Sequence, residues 1–598
     1  MARLTVAPAI VVLGAGALPV AERIRARYQG ATIHALAGRA EGDVAFSELG
    51  AHLRALYARG NPVVALCAAG IVIRCVAPCL ADKGVEPPVL AVAEDGSAVV
   101  PLLGGLTGVN LLAREIAETL GIAPAITTSG ELRFGACVLN PPEGYALADI
   151  RAGKRFVSDL LAGASTRVDG AAPWLEGVAL PVDAAGSHAI RVTPRRAGGA
   201  GSGELLIHPR SVVVALAEGF AHRAASLAAP AQAADHEAGG DPLARRILDA
   251  LAAADLSPLA LAALVAPRQC MREAALARAA RELGVPLRFV ASEADPAGDA
   301  AALLDAALAA GSIDASPAIT LDDHGKPSKS LAIAIAEAPV DANRLGQARG
   351  SLTVLGLGPG RADLLAPAAR LALAEATDIL GYATYVRMAG PFRADQRVHE
   401  TDNREELQRA RHAFELAAQG HRVAMVSSGD PGVFAMAAAV LEALDGAGEP
   451  AWDEVALEVV PGVSAAFATA AEAGAPLGHD FCVISLSDNL KPWGVIEERL
   501  ALAARADLVM AFYNPISKAR PWQLDRALEI LREIRAADTV VVLGRDVGRP
   551  GASLRSLTLG ELRTADVDMR TMVIVGSSKT RRFASAEREW IYTPRFYD

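Results

Sequence analysis

Along most of this chain, short contiguous apolar runs rich in β-branched residues alternate with longer stretches dominated by Ala, Leu, Arg and Glu. Contiguous apolar runs suit strands covered on both faces, and the longer stretches carry the spacing of helices with one buried stripe. The alternation predicts α/β layers with largely parallel sheets. Ile10 to Gly16 reads as a buried strand entering a glycine turn, with a charged helical pattern from Ala21 to Tyr28. Val63 to Arg74 reads as a strand with a glycine turn, Glu94 to Gly96 as the centre of a hairpin, and the glycines after Leu103 as a turn running into a helix.

Breaks in this texture divide the chain. Arg195 to Gly203 and Ala229 to Asp241 are Ala/Gly-rich and read as flexible connectors, and a further break falls at Asp341 to Gly350, before the chain restarts at Leu352. At roughly 150 residues per domain, a chain of 598 residues calls for about four units. The expected organisation is 1–140, a central region 141–203, 204–342 and 351–598. No apolar run reaches the roughly 18 residues of a membrane span, since Pro62 to Ile73 stops at Arg74 and Leu256 to Pro267 at Arg268. Ala7 to Val20 has no basic flank beyond Arg3, which separates it from a signal peptide. A soluble, cytoplasmic protein with no membrane partner is expected.

Charge narrows the partners. With 68 acidic against 58 basic side chains the net charge is −10, which disfavours nucleic acid, whose affinity comes from Lys and Arg neutralising phosphates. Aromatics are only 4%, leaving little surface for base stacking. The six cysteines, at 67, 75, 79, 137, 270 and 482, stand mostly among apolar residues and read as buried thiols in a reducing compartment. Cys75 and Cys79 could share a helix face, but no second Cys or His pair lies nearby, so no metal site is expected.

The richest chemistry lies after Gly350. Thr353 to Gly360 is a short strand entering a loop of Gly356, Gly358, Pro359 and Gly360, a loop that lets backbone approach a ligand. By itself it fits a packing turn or a nucleotide loop, and Pro359 argues against the dinucleotide fingerprint. Further strands end in turns at Ser428-Gly429-Asp430-Pro431, at Pro461-Gly462-Val463-Ser464-Ala465, at Tyr513-Asn514-Pro515, at Gly544-Arg545-Asp546 and at Val575-Gly576. Ligands in open α/β sheets collect at the carboxyl ends of strands.

This ordered set resembles the class III tetrapyrrole methyltransferases across essentially all of residues 351–598. Within them the likeness is to the precorrin-3B C(17)-methyltransferases, through Ile379 to Val386, Ser427 to Met436, His479 to Trp493 and Phe512 to Arg520. The resemblance implies two α/β lobes with S-adenosyl-L-methionine between them, held by Ser428, Gly429, Asp430, Pro431, Val433, Phe434, Pro461, Gly462, Val463, Ser464, Ala465, Tyr513, Asn514, Gly544, Val575 and Gly576. It implies that Gly356 to Gly360 faces the macrocycle, that the protein is a homodimer, and that the reaction is methylation of precorrin-3B at C(17) with ring contraction to precorrin-4 on the aerobic route to cobalamin. A polycarboxylate substrate needs cations, so Arg361, Lys491, Lys518, Arg520 and Arg545 are candidate clamps or ordinary surface charges. Asp430, His479 and Arg545 are the catalytic candidates, with Asp430 equally readable as a helix cap.

Residues 5–135 resemble the N-terminal domain of cobalt-precorrin-5A hydrolase. That family carries His where this chain has Leu106, and Thr127 to Glu131 also differs, which argues against hydrolysis while leaving the fold expectation intact. Residues 204–342 resemble the same protein's C-terminal domain through Leu259 to Ala266 and Met271 to Phe289, with Val212 to Gly219 replacing its glycine and cysteine turn. Arg74, Arg114 and Arg133 read as carboxylate contacts or as solvated helix faces.

Overall fold

The computed structural model describes residues 7–28, 30–80, 86–196, 203–220, 241–291, 299–321, 329–390, 392, 395–402, 405–585 and 588–596; most of the two expected flexible connectors lies outside them. Contacts divide the chain into two compact units, Met1–Arg349 with Phe392–Asp395, and Gly350–Pro391 with Gln396–Asp598.

In the first unit a six-stranded sheet runs in the order Val44–Phe46, Thr32–Leu36, Ala9–Val12, Val63–Leu66, Val89–Val92, Val99–Leu103. Its neighbours are parallel except the last pair, which forms the expected hairpin. The central strands Ala9–Val12 and Val63–Leu66 are wholly buried because helices cover both faces, Leu18–Arg25 and Val109–Leu120 on one, Leu49–Ala58 and Ala69–Val76 on the other. A four-stranded sheet (Tyr145–Leu147, Glu204–Pro209, His188–Val192, Thr166–Asp169) and a five-stranded one (Leu287–Val290, Leu261–Pro267, Val212–Leu216, Leu331–Ile335, Ile319–Leu321) complete the unit. The break at Asp341 to Gly350 is packed: Leu345 is fully buried, and Gln347 exchanges two backbone hydrogen bonds with Phe289 at 2.7 and 2.9 Å.

Two expectations about side chains change here. Only Cys67 and Cys270 are buried, with their thiols pushed up to about 11 and about 12 by burial; the other four cysteines are half-exposed. Arg114 is not a solvated charge, because it pairs with the buried Glu131 at 2.7 Å. Arg74 and Arg133 donate to nearby carbonyls, of Gly70 and Leu161.

The second unit has two lobes. The first is a parallel sheet in the order Arg397–Thr401, Asp378–Tyr382, Arg422–Ser427, Ser351–Gly356, Ala456–Val460, with helices Glu406–Ala418 and Met436–Asp445 over one face. The second runs Phe481–Ser485, Val509–Tyr513, Thr571–Val575, Val540–Arg545, Ser553–Thr558. This second sheet departs from the parallel expectation. Only its first two strands pair parallel, and Thr571–Val575 is antiparallel to both neighbours. The reason is the short link after Arg545, which permits a hairpin to Ser553–Thr558 but not a crossover helix. Helix Ala465–Ala473, leaving the first sheet, packs through Ala466, Ala470 and Ala473 on the second.

Candidate active site

Three strand ends of the first lobe meet as bare backbone. A Cβ on Gly356 would lie 2.3 Å from the Gly429 carbonyl oxygen, and one on Gly462 would lie 2.2 Å from that same oxygen and 2.9 Å from the Gly356 Cα. Glycine is required because no side chain fits between these chains. Gly358 and Gly429 then exchange backbone hydrogen bonds at 3.1 and 2.8 Å, so the loop expected to face a substrate is locked to the turn expected to face a cofactor. Asp430 joins the third turn: its carboxylate accepts from Gly432 N at 2.8 Å and from Gly462 N at 3.0 Å. Both oxygens are committed to backbone donors, a geometry that holds turns rather than moves protons. Asp430→Asn, which keeps one acceptor, is expected to retain the parent pH profile. Asp430→Ala is expected to weaken cofactor binding about tenfold, or about 1.4 kcal/mol, measured by calorimetry.

The second lobe reaches this cluster through a residue that the sequence reading did not single out. Arg549 Nε donates to the Pro359 carbonyl and Arg549 Nη2 to Ser428 Oγ, each at 3.0 Å, while Gly548 at φ 83° abuts Pro359. One guanidinium thus latches the second lobe to two loops of the first. Arg549→Ala is expected to lower kcat/KM about tenfold to a hundredfold, and Arg549→Lys to recover little, because a point charge does not reproduce the planar fork. Steady-state kinetics on both variants tests this.

At the edge where Phe481–Ser485, Val509–Tyr513 and Val540–Arg545 end, Tyr513 Oη accepts from Ala466 N at 3.2 Å, and Asn514 Nδ2 donates to Ser485 Oγ at 3.1 Å. The Phe434 ring lies 5.4 Å from that of Tyr513 and is half-exposed, with the Lys491 ammonium 5.8 Å above it. Burial, then Arg499, lowers the Lys491 pKa. Of six non-glycine residues with positive φ among the described residues, Asn514 and Asp546 sit at these strand ends and Phe434 stands beside Tyr513, and such backbone strain tends to gather at functional sites. Gly544 abuts Thr469, 2.5 Å from where its Cβ would stand. The hydroxyls Ser427 Oγ and Thr469 Oγ1 are buried with no hydrogen-bond partner among the described residues, donors that a bound polar group would satisfy.

Arg545 reaches this edge but is engaged by Asp568 at 2.9 Å and Asp546 at 3.1 Å, with Arg570 completing the charge knot on Asp546 at 3.3 Å. Arg361 pairs with Asp363, Lys518 is exposed, and Arg520 donates to the Asn514 carbonyl at 3.3 Å.

Three expected site residues lie elsewhere. Val575 pairs with Met510 and Val541, near the starts of the strands whose ends carry Tyr513 and Arg545, so Val575 and Gly576 stand at the opposite edge of the second sheet, about 13 Å away at 3.3 Å per residue. The Gly576 carbonyl accepts there from the buried Arg535 at 3.3 Å. His479 is at that far edge too, just before Phe481, accepting from Asp480 N at 2.7 Å. The antiparallel direction of Thr571–Val575 brings its start, Thr571, beside Arg545 instead.

Residues 351–563 match the family described as Tetrapyrrole (Corrin/Porphyrin) Methylases, and residues 51–131 that described as Cobalamin synthesis G N-terminal. The chain is similar to a precorrin-3B C(17)-methyltransferase from a Sinorhizobium species, 52% identical over 249 residues, which are 42% of this chain and 97% of that protein. It is also similar to the cobalamin biosynthesis protein CobIJ of Mycobacterium tuberculosis (strain ATCC 25618 / H37Rv), 45% identical over 285 residues, covering 47% of this chain and about half, 54%, of that protein. The crystal structure of the methyltransferase CobJ is 52% identical and covers 41% of this chain and 100% of its own, at a TM-score of 0.39. Since identity at that level runs through nearly the full length of the Sinorhizobium enzyme, this chain belongs to the tetrapyrrole (corrin/porphyrin) methylases.

Proposed function

We propose that residues 351–598 methylate precorrin-3B at C(17), with ring contraction to precorrin-4, in aerobic cobalamin biosynthesis. The 52% identity to a precorrin-3B C(17)-methyltransferase over almost all of that enzyme carries this reading. The site fits S-adenosyl-L-methionine: three glycine turns present backbone at the strand ends, Phe434 offers a half-exposed ring, and unsatisfied hydroxyls border them. When bound, that cofactor supplies a sulfonium-activated methyl group, so the protein's task is alignment rather than nucleophilic catalysis. Asp430 holds the turns at Gly432 and Gly462, Arg549 ties Pro359 to Ser428, and Tyr513 fixes the start of helix Ala465–Ala473. Lys491 is the cation best placed beside the exposed ring to receive a substrate carboxylate.

In this reading the enzyme works as a cytoplasmic homodimer, and the hydrolase-like first unit binds rather than hydrolyses. Among the described residues no helix is long and apolar enough to cross a membrane, and no three His, Cys, Asp or Glu side chains gather as metal ligands. Incubating the full-length protein in the dark with S-adenosyl-L-methionine and metal-free precorrin-3B is expected to add one methyl by mass and to give the spectrum of a contracted ring. Turnover only of another precorrin, or of a cobalt-loaded one, would move the substrate elsewhere in the pathway. Sedimentation of the same sample tests the dimer.

A further inference from the structure

The first unit contains a cavity of about 400 Å³, within the roughly 300–1,000 Å³ of small-molecule sites and near their lower limit. Its walls are apolar, with Leu106, Phe134, Val138 and Val157 among them. Leu106 is the position at which the hydrolase family was expected to carry His, so the departure noted in the sequence is part of this wall.

The polar groups on its border are mainly donors. Glu131 adds no net negative charge, because Arg114 Nη2 pairs with one of its oxygens at 2.7 Å while the other accepts from Asn110 Nδ2 at 2.7 Å. Thr128 Oγ1 accepts from Asn110 Nδ2 at 3.0 Å, which leaves its own proton to donate outward. The N–H groups of Gly105 and Leu106 donate to no acceptor among the described residues, in a loop whose shape is set by Gly104 at φ 84° and Gly108 at φ 101°. Lys154 borders the cavity, exposed and without an acidic partner among the described residues. Glu86 is the one opposing charge at the border without an ion pair among the described residues. An apolar chamber edged by a cation, a hydroxyl and loop N–H donors is matched by an oxyanion attached to an apolar body.

We infer that this cavity binds a small monocarboxylate with an apolar body, its carboxylate toward Lys154 and Thr128 and its body against Leu106, Phe134 and Val157. The chemistry is independent of methyl transfer and assigns the first unit a ligand of its own.

Cys137 lines the same cavity, its thiol donating weakly to the Gly105 carbonyl at 3.9 Å, and so reports occupancy. The test follows alkylation of Cys137 by iodoacetamide in the full-length protein at fixed pH, read by peptide mass spectrometry with and without 4-phenylbutyrate, and with Cys75 as reference. Phenylbutyrate is expected to slow Cys137 labelling and leave Cys75 unchanged, while the uncharged 4-phenylbutyramide protects far less. Lys154→Ala is expected to raise the half-protecting concentration about tenfold, and Glu86→Gln to lower it. Val157→Trp, filling the chamber, is expected to remove protection, with an unchanged circular dichroism spectrum and unchanged Cys75 labelling as its folding controls. No protection at millimolar phenylbutyrate, equal protection by the amide, or indifference to Lys154→Ala would each overturn the inference.

Discussion

Gly462→Ala is expected to lower methyl transfer about a hundredfold while leaving the folded protein intact. The added Cβ would stand 2.2 Å from the Gly429 carbonyl oxygen and 2.9 Å from the Gly356 Cα, both backbone atoms that no rotamer change can move aside. Relief requires the Pro461 to Ser464 turn to shift by about 1 Å, and displacements of that size at a reacting centre cost about a hundredfold in rate. The shift also pulls the Gly462 N–H from Asp430, loosening the neighbouring turn. The glycines lie at strand ends, outside the apolar clusters that hold each lobe, so circular dichroism and the unfolding midpoint are expected to change little. Gly356→Ala is expected to behave alike, since its Cβ meets the same oxygen at 2.3 Å. Turnover within threefold of the parent for either variant would show that the three turns do not form the site.

Asp378→Ala is expected to be the most destabilising single change in the methyltransferase unit. The Asp378 side chain is wholly buried at the start of its strand and accepts from His399 Nε2 at 2.9 Å, Thr377 Oγ1 at 2.8 Å and Arg397 at 3.0 Å, with His421 Nδ1 also at 3.0 Å. Removing the carboxylate strands these partners, and breaking a buried ionic cluster costs about 3–5 kcal/mol. Burial raises the Asp378 pKa, but hydrogen bonds from His399, Thr377 and Arg397 outweigh it, and the net shift is downward. A carboxyl whose folded pKa is depressed contributes stability above its unfolded value of about 3.9 and loses it as pH falls through the folded value. Chemical denaturation at neutral pH is expected to show the full loss in Asp378→Ala. In acid, below the ordinary carboxylate range, parent and variant should converge. A loss below about 1 kcal/mol at neutral pH would show the cluster to be passive.

Much of the fold was legible because its signals are local. Contiguous apolar runs such as Val63 to Leu66 and Leu261 to Pro267 are strands buried on both faces, and the Glu94 to Gly96 turn closes its hairpin. The glycine turns at 356, 429 and 462 could be read because each must spare a Cβ, a requirement written into the residue itself. Strand direction is not local. Resemblance implies a cofactor role for Val575 and Gly576, but Thr571–Val575 runs antiparallel to Val540–Arg545, which carries them to the opposite edge of the sheet. The signal was present in the Gly548-Arg549-Pro550-Gly551 turn that follows Arg545 at hairpin distance. His479 stands at that opposite edge because it precedes its strand rather than ending it.

By itself, then, the sequence determined where strands and turns form and which glycines must stay bare, because backbone sterics and apolar spacing act within a few residues. Only the tertiary structure decided which strand ends share an edge and that Arg549 spans from Pro359 to Ser428. It alone showed that the Asp430 carboxylate is spent on two backbone donors and that Leu106 lines a chamber. Those outcomes depend on sheet register and on contacts across as many as 190 positions of chain, and such pairings are set by the packing of whole layers rather than by any one segment.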